Sequence, residues 1–125
     1  MMNGFKESWI TNSIDFETVC WAQNKGKELA SGTDQLSTSQ LRKFFGELRR
    51  IESDYERYKE DIPLLTVKLA YATGRNKKSK IKDFYRYFKE MDKAYRSSDN
   101  KKESFYRMVK IIESIVAFHK FSGGN

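Results

Sequence analysis

Lys68, Tyr71 and Arg75 stand at i, i+3 and i+7, a spacing that puts three side chains on one face of a helix. Phosphates need positive charge, and an unstacked base can lie on a tyrosine ring or a guanidinium plane. The trio therefore has the chemistry of single-stranded nucleic acid. A solvent-facing tyrosine among flexible cations is the competing reading. Upstream, Arg42 and Arg49 are seven residues apart and share one flank of a helix, with Lys43 and Arg50 a parallel pair further round. Gly46 lies between them. A glycine costs about 1 kcal/mol in a helix interior, so its bareness points either to a closely approaching backbone or to tight helix–helix packing. Downstream, Arg75, Lys77, Lys78, Lys80 and Lys82 all precede the next acid, Asp83. So much charge opposes the partial positive charge of a helix start, and an anionic partner relieves it. A mobile charged loop with no partner is the alternative.

Signals for catalysis are nearly absent. There is no glycine-rich phosphate loop, and the single His119 and single Cys20 are far apart with no motif around either. Metal sites need several converging ligands, so no metal or other cofactor is expected. Glu52, Asp54 and Glu56 alternate with bases and read as a solvated helical face. His119 falls near the stripe of Ile112, Ile115 and Val116 and is expected to be a half-buried structural histidine. Cys20, between Val19 and Trp21, is expected to be a buried small hydrophobe. The chain reads as a non-enzyme.

Net charge is +7, unevenly spread. Residues 1–36 hold three bases and five acids, 37–62 six of each, and 63–98 ten bases against three acids. A field concentrated in one third of the chain favours a polyanion, either nucleic acid or an acidic protein surface. A helix-turn-helix DNA reader needs a short helical pair ahead of a recognition helix. The second helix here is too long, which ranks DNA below RNA.

The elements that must position these groups are helices. The chain has 125 residues, one proline and seven glycines, too little turn punctuation for a sandwich or barrel. That length suits a single domain over 1–125, with residues 1–12 open to disorder. The first helix is expected from Asp15 to Ala30, capped by Ser13, with Phe16, Val19, Cys20 and Leu29 inward. The second starts at the capping box Ser37/Gln40 and runs to about Lys59 through Leu41, Phe44, Phe45, Leu48, Ile51 and Tyr55. The third begins at Pro63, turns Leu65, Leu69 and Ala72 inward, and stops at Gly74. After a basic loop at 76–80, a fourth helix extends to Arg96 on Ile81, Phe84, Tyr85, Phe88, Met91 and Tyr95. A polar loop at 97–100 precedes the last helix, which starts at Asn100/Glu103 and closes at Gly123-Gly124. Tyr58, Tyr87 and Tyr106 fall off the stripes and are expected to be exposed. The fold class is all-α, a compact bundle of about five helices. No run approaches the ~20 apolar residues of a membrane span, and the N-terminus lacks the apolar core of a signal peptide, so a cytoplasmic location is expected.

Four stretches in order resemble one family. Thr38-Ser39-Gln40-Leu41-Arg42, then Lys68-Leu69-Ala70-Tyr71-Ala72-Thr73-Gly74-Arg75, then Ile81-Lys82-Asp83-Phe84, and the closing Ile115-Val116-Ala117-Phe118-His119-Lys120-Phe121 are similar to the small subunit of type III-A CRISPR effector complexes, the Csm assemblies. The resemblance spans about 37–124. It implies a helical bundle with no catalysis of its own. Copies would stack as an inner filament beside the crRNA-carrying backbone subunits and lie along the target RNA. Its implied partners are target RNA and the crRNA–target duplex, other Csm subunits and copies of itself. Carried onto this chain, Arg42 and Arg75 are the leading RNA contacts and Lys68 the next. Lys43, Arg49, Arg50, Lys77 and Lys78 rest on the charge reading. Phe118 stands where the family pattern often has tyrosine, so it is assigned no role. The type III-B small subunit is a near relative. The alternative is a structural adaptor whose basic face binds acidic proteins.

Overall fold

A computed structural model describes residues 4–124, and the described residues are helical with no strand. The order is α1 (Ser8–Thr11), α2 (Phe16–Leu29), α3 (Thr38–Ser53), α4 (Tyr55–Tyr58), a 3-10 turn (Lys59–Asp61), α5 (Ile62–Arg75), α6 (Ile81–Ser97) and α7 (Lys101–Phe121). The five long helices form the expected all-α bundle.

The longest helix, α7, is its centre. Phe105, Met108, Val109, Ile111, Ile112 and Ile115 are buried on it, and α1, α2, α3 and α6 all pack around it. By contrast α5 leans chiefly on α6 and only lightly on α3. This peripheral seat buries Leu65 and Leu69 but leaves Leu64, Val67 and Tyr71 outward.

Helix α2 turns a different face inward from the expected one. Phe16 is 78% exposed, and Val19 and Cys20 also face solvent. The buried set is Thr18, Trp21, Ala22, Lys25, Gly26 and Leu29, a regular 3-4 spacing whose polar and bare members hide it from a hydrophobicity count. Its cap is Asp15, not Ser13. The Thr18 backbone N–H donates to Asp15 Oδ1 at 3.0 Å, and the Asp15 N–H donates to Thr18 Oγ1 at 3.0 Å. Gly26 is the contact point with α7: a Cβ there would lie 2.8 Å from His119 N, Ile115 O and Phe118 Cβ.

Residues 8–11 form a short helix that packs on the bundle. Trp9 and Ile10 are buried, Trp9 packs 5.9 Å from Trp21, and Arg107 Nε donates to the Ile10 carbonyl at 2.7 Å. Residues 1–3 of the expected disordered segment lie outside the described residues.

The second expected helix is broken. Asp54 leaves helical geometry (φ −154°, ψ 76°), and the turn directs Tyr55 into the core, where its hydroxyl meets that of Tyr95 at 2.6 Å. Tyr87 is buried as well, donating to Glu28 Oε1 at 3.1 Å, while Tyr58 and Tyr106 are half-buried. Burial, with the Glu28 carboxylate nearby, pushes the Tyr87 hydroxyl well above its usual range. Tyr85, expected inside, is only half-buried.

Helix α5 passes through Gly74 and ends when the Asn76 side-chain amide donates to the Ala72 carbonyl at 2.8 Å. At the start of α7 no side chain of Asn100 caps the helix; a Ser98–Ser104 hydroxyl pair at 2.6 Å organises the turn. Its end is a glycine stop of the Schellman kind. Gly123 adopts φ +97°, and the Gly124 and Gly123 N–H groups donate to the His119 and Lys120 carbonyls at 2.9 and 3.1 Å.

His119 is sealed beneath that stop, 1% exposed. A carbonyl only accepts, so Nε2–H donates to Leu36 O at 2.6 Å, and the buried Nδ1 has no partner among the described residues. His119→Ala is expected to cost about 3 kcal/mol, combining a cavity with an orphaned Leu36 carbonyl. Urea unfolding checks this, and a change within about 0.5 kcal/mol, the ordinary surface range, would refute a structural role.

Candidate nucleic-acid interface

The gap between α3 and α5 is an open groove of about 640 Å³. It exists because α5 is held away from α3 by its packing on α6. Phe44, Leu69 and Ile81 are buried residues that reach its floor, with Ala72 beside them. Lys43, Lys68 and Arg75 line it as cations, Glu47 as the lone acid, and Tyr71 as an aromatic wall.

The eight cations singled out in the sequence differ sharply in their present commitments. Lys68 Nζ binds Glu47 Oε1 at 2.8 Å across the groove. That hydrogen bond, with Arg50 adding, holds the Glu47 carboxyl below its usual range against the opposing effect of partial burial. Arg50 reaches Asp61 Oδ2 at 2.8 Å and Glu47 Oε1 at 3.5 Å, and its guanidinium lies over Tyr58 at 4.7 Å. It ties α3 to the 3-10 turn. Arg49 pairs with Glu52 at 3.0 Å and lies over Phe45 at 5.7 Å.

The other five are exposed and, among the described residues, make no ion pair: Arg42, Lys43, Arg75, Lys77 and Lys78. The Arg75 guanidinium lies over the Tyr71 ring at 5.5 Å. Lys80, in the same basic run, is structural. Its Nζ donates to the Glu28 and Ser31 carbonyls at 3.1 and 2.8 Å and lies 3.6 Å from Asp34 Oδ1, closing the end of α2.

Of the two leading candidates, Arg75 lines the groove and Arg42 does not. The groove takes Lys43 and Arg75, while Arg42 and Arg49 lie on the opposite flank of α3 from the wall facing α5. Gly46 sits on the exposed side with nothing within 4 Å of a Cβ built there, so helix–helix packing is not its reason. The Lys68/Tyr71/Arg75 trio is one wall, as the i, i+3, i+7 spacing requires.

Sequence reasoning passed over Glu47 as a groove residue, because its role depends on α5 lying opposite. The spacing Lys43/Glu47 at i, i+4 was the available signal.

The family model Csm2 Type III-A matches residues 16–125. The match begins at the first residue of α2, further back than the 37–124 over which the resemblance was read. No curated protein and no solved structure matches the chain. Among the described residues, no helix is long and apolar enough to cross a membrane.

Proposed function

Because the chain belongs to the Csm2 Type III-A family, the small subunit of the type III-A CRISPR (Csm) complex, we propose that it is a non-catalytic subunit that clamps the phosphate backbone of target RNA within that complex. The observation that carries this reading is the uncommitted charge. Lys43 and Arg75 face one groove without an internal carboxylate partner, and Arg42, Lys77 and Lys78 are exposed outside its lining, with no ion pair among the described residues. Cations of this kind neutralise phosphates without reading base edges, so binding is independent of sequence. The target strand and the crRNA–target duplex are the expected ligands, and copies of the chain stack along them as an inner filament.

Two features support the absence of catalysis by this chain. His119 is sealed from solvent, and Cys20 stands on the outer face of α2, remote from the α3–α5 groove lining. The exposed Leu64 and Val67 on α5 favour a protein neighbour at that end of the helix, which suits either a copy of the chain or another Csm subunit.

The test is purification of the tagged chain from its native cell. Short RNAs of discrete length recovered with several larger proteins are the expected result, together with no RNA turnover by the chain alone. Loss of the partner proteins without loss of RNA contact in charge-reversed variants would move the reading to a structural adaptor.

A further inference from the structure

We propose that the α3–α5 groove holds an unpaired nucleotide, with its base stacked at Tyr71 and its flanking phosphates on Lys43 and Arg75. The inference rests on the RNA-clamp reading and deepens it by naming the form of RNA that enters this groove.

A backbone clamp alone needs only cations. The groove offers more. Tyr71 is 67% exposed although it is a large aromatic, and the Arg75 guanidinium already lies over its ring at 5.5 Å. Exposed aromatics beside cations are what a splayed base uses, since every base has a π face and stacking tolerates any sequence. The open groove, about 640 Å³, has room for one nucleotide. The bases of a duplex are paired and stacked on one another and cannot enter it.

Glu47 sharpens the assignment. Its carboxylate lines the groove and repels phosphate, yet it accepts hydrogen bonds from base amino and imino groups. Lys68 holds it in place at 2.8 Å. A groove built for phosphates alone gains nothing from that acid, whereas a base between two phosphates finds both an acceptor and a ring.

The test uses the full chain and fluorescence anisotropy. The probes are a labelled 12-nucleotide single-stranded RNA and the same strand annealed to its complement, each titrated at several salt concentrations. Tyr71→Ala is expected to weaken single-strand binding by about ten- to a hundred-fold, the worth of one stacked base, and to leave duplex binding unchanged. The salt slope should stay the same, because no charge is removed. Tyr71→Phe, which keeps the ring, should retain the affinity.

Equal effects of Tyr71→Ala on both RNAs, or none on either, would overturn the base site while leaving the backbone clamp standing. Failure of the wild-type chain to bind either RNA would overturn both. A Tyr71→Ala variant with unchanged RNA affinity but lost self-association by sedimentation would reassign the Leu64–Val67–Tyr71 stripe to protein contact, again overturning the base site.

Discussion

Lys43→Glu together with Arg75→Glu is expected to weaken RNA binding by about twenty-fold or more at physiological salt, equally for unrelated sequences. Each phosphate contact contributes roughly 0.7–0.9 to the slope of log affinity against log salt. Between 1 M and 0.15 M that makes one contact worth about four- to five-fold and two about twenty-fold, before the added repulsion of the new carboxylates. The slope should fall by about 1.5. Both residues are free of ion pairs among the described residues, so the change breaks no internal bridge and circular dichroism should be unaltered. Lys68→Glu and Arg50→Glu are poorer probes, because each would leave Glu47 or Asp61 facing a like charge. Arg42→Glu, on the other flank of α3, asks whether RNA wraps round the helix. A groove double variant that binds with unchanged affinity and slope would remove the groove from the RNA path, whatever Arg42 does.

Two glycine substitutions of the same kind are expected to move stability in opposite directions. In Gly26→Ala the new Cβ meets two backbone atoms of α7, at 2.8 Å from His119 N and Ile115 O, and cannot be relieved by rotating a flexible side chain. Overpacking of this sort costs about 1–3 kcal/mol or more. The better helix propensity of alanine returns about 1 kcal/mol of it. With two backbone atoms at 2.8 Å the upper end of that range applies, so the net loss should be roughly 2 kcal/mol, with Gly26→Val worse still. Gly46→Ala places its Cβ in open space and should stabilise by about 0.5–1 kcal/mol. Urea midpoints with unchanged m-values read both effects. A neutral Gly26→Ala would mean that α2 and α7 do not approach as closely as described.

The contrast between these glycines shows what a sequence conveys and what it withholds. Helices were legible wherever the apolar pattern was clean. Leu41, Phe44, Leu48 and Ile51 on α3, and Ile81, Phe84, Phe88 and Met91 on α6, recur at helical spacing and are buried as that spacing requires. Ser37 was readable as a cap, and its hydroxyl accepts from the Gln40 N–H at 3.1 Å. Helix α2 was misread, since its inward face includes Thr18, Lys25 and Gly26. Lys25 is buried because its stem packs beside Trp21 and Tyr87, with its ammonium 5.4 Å from the Tyr87 ring. The neighbours that decide which way α2 faces are α7, against which Gly26 fits, and Tyr87 of α6, and no local pattern contains them.

The candidate interface divides along the same line. Residue type and i, i+3, i+7 spacing by themselves determined that Lys68, Tyr71 and Arg75 share a face, because helical geometry is local. They also determined the all-α class and the concentration of positive charge. Which cations are free was decided only by tertiary structure. Arg50 is engaged because the break at Asp54 brings Asp61 back to it, and Lys68 because α5 lies across from Glu47. The groove itself exists because α5 packs on α6 rather than on the central α7. Periodicity reports how much apolar surface a helix must bury; the packing of the whole chain chooses the neighbour that buries it, and with it which charges are left for a partner.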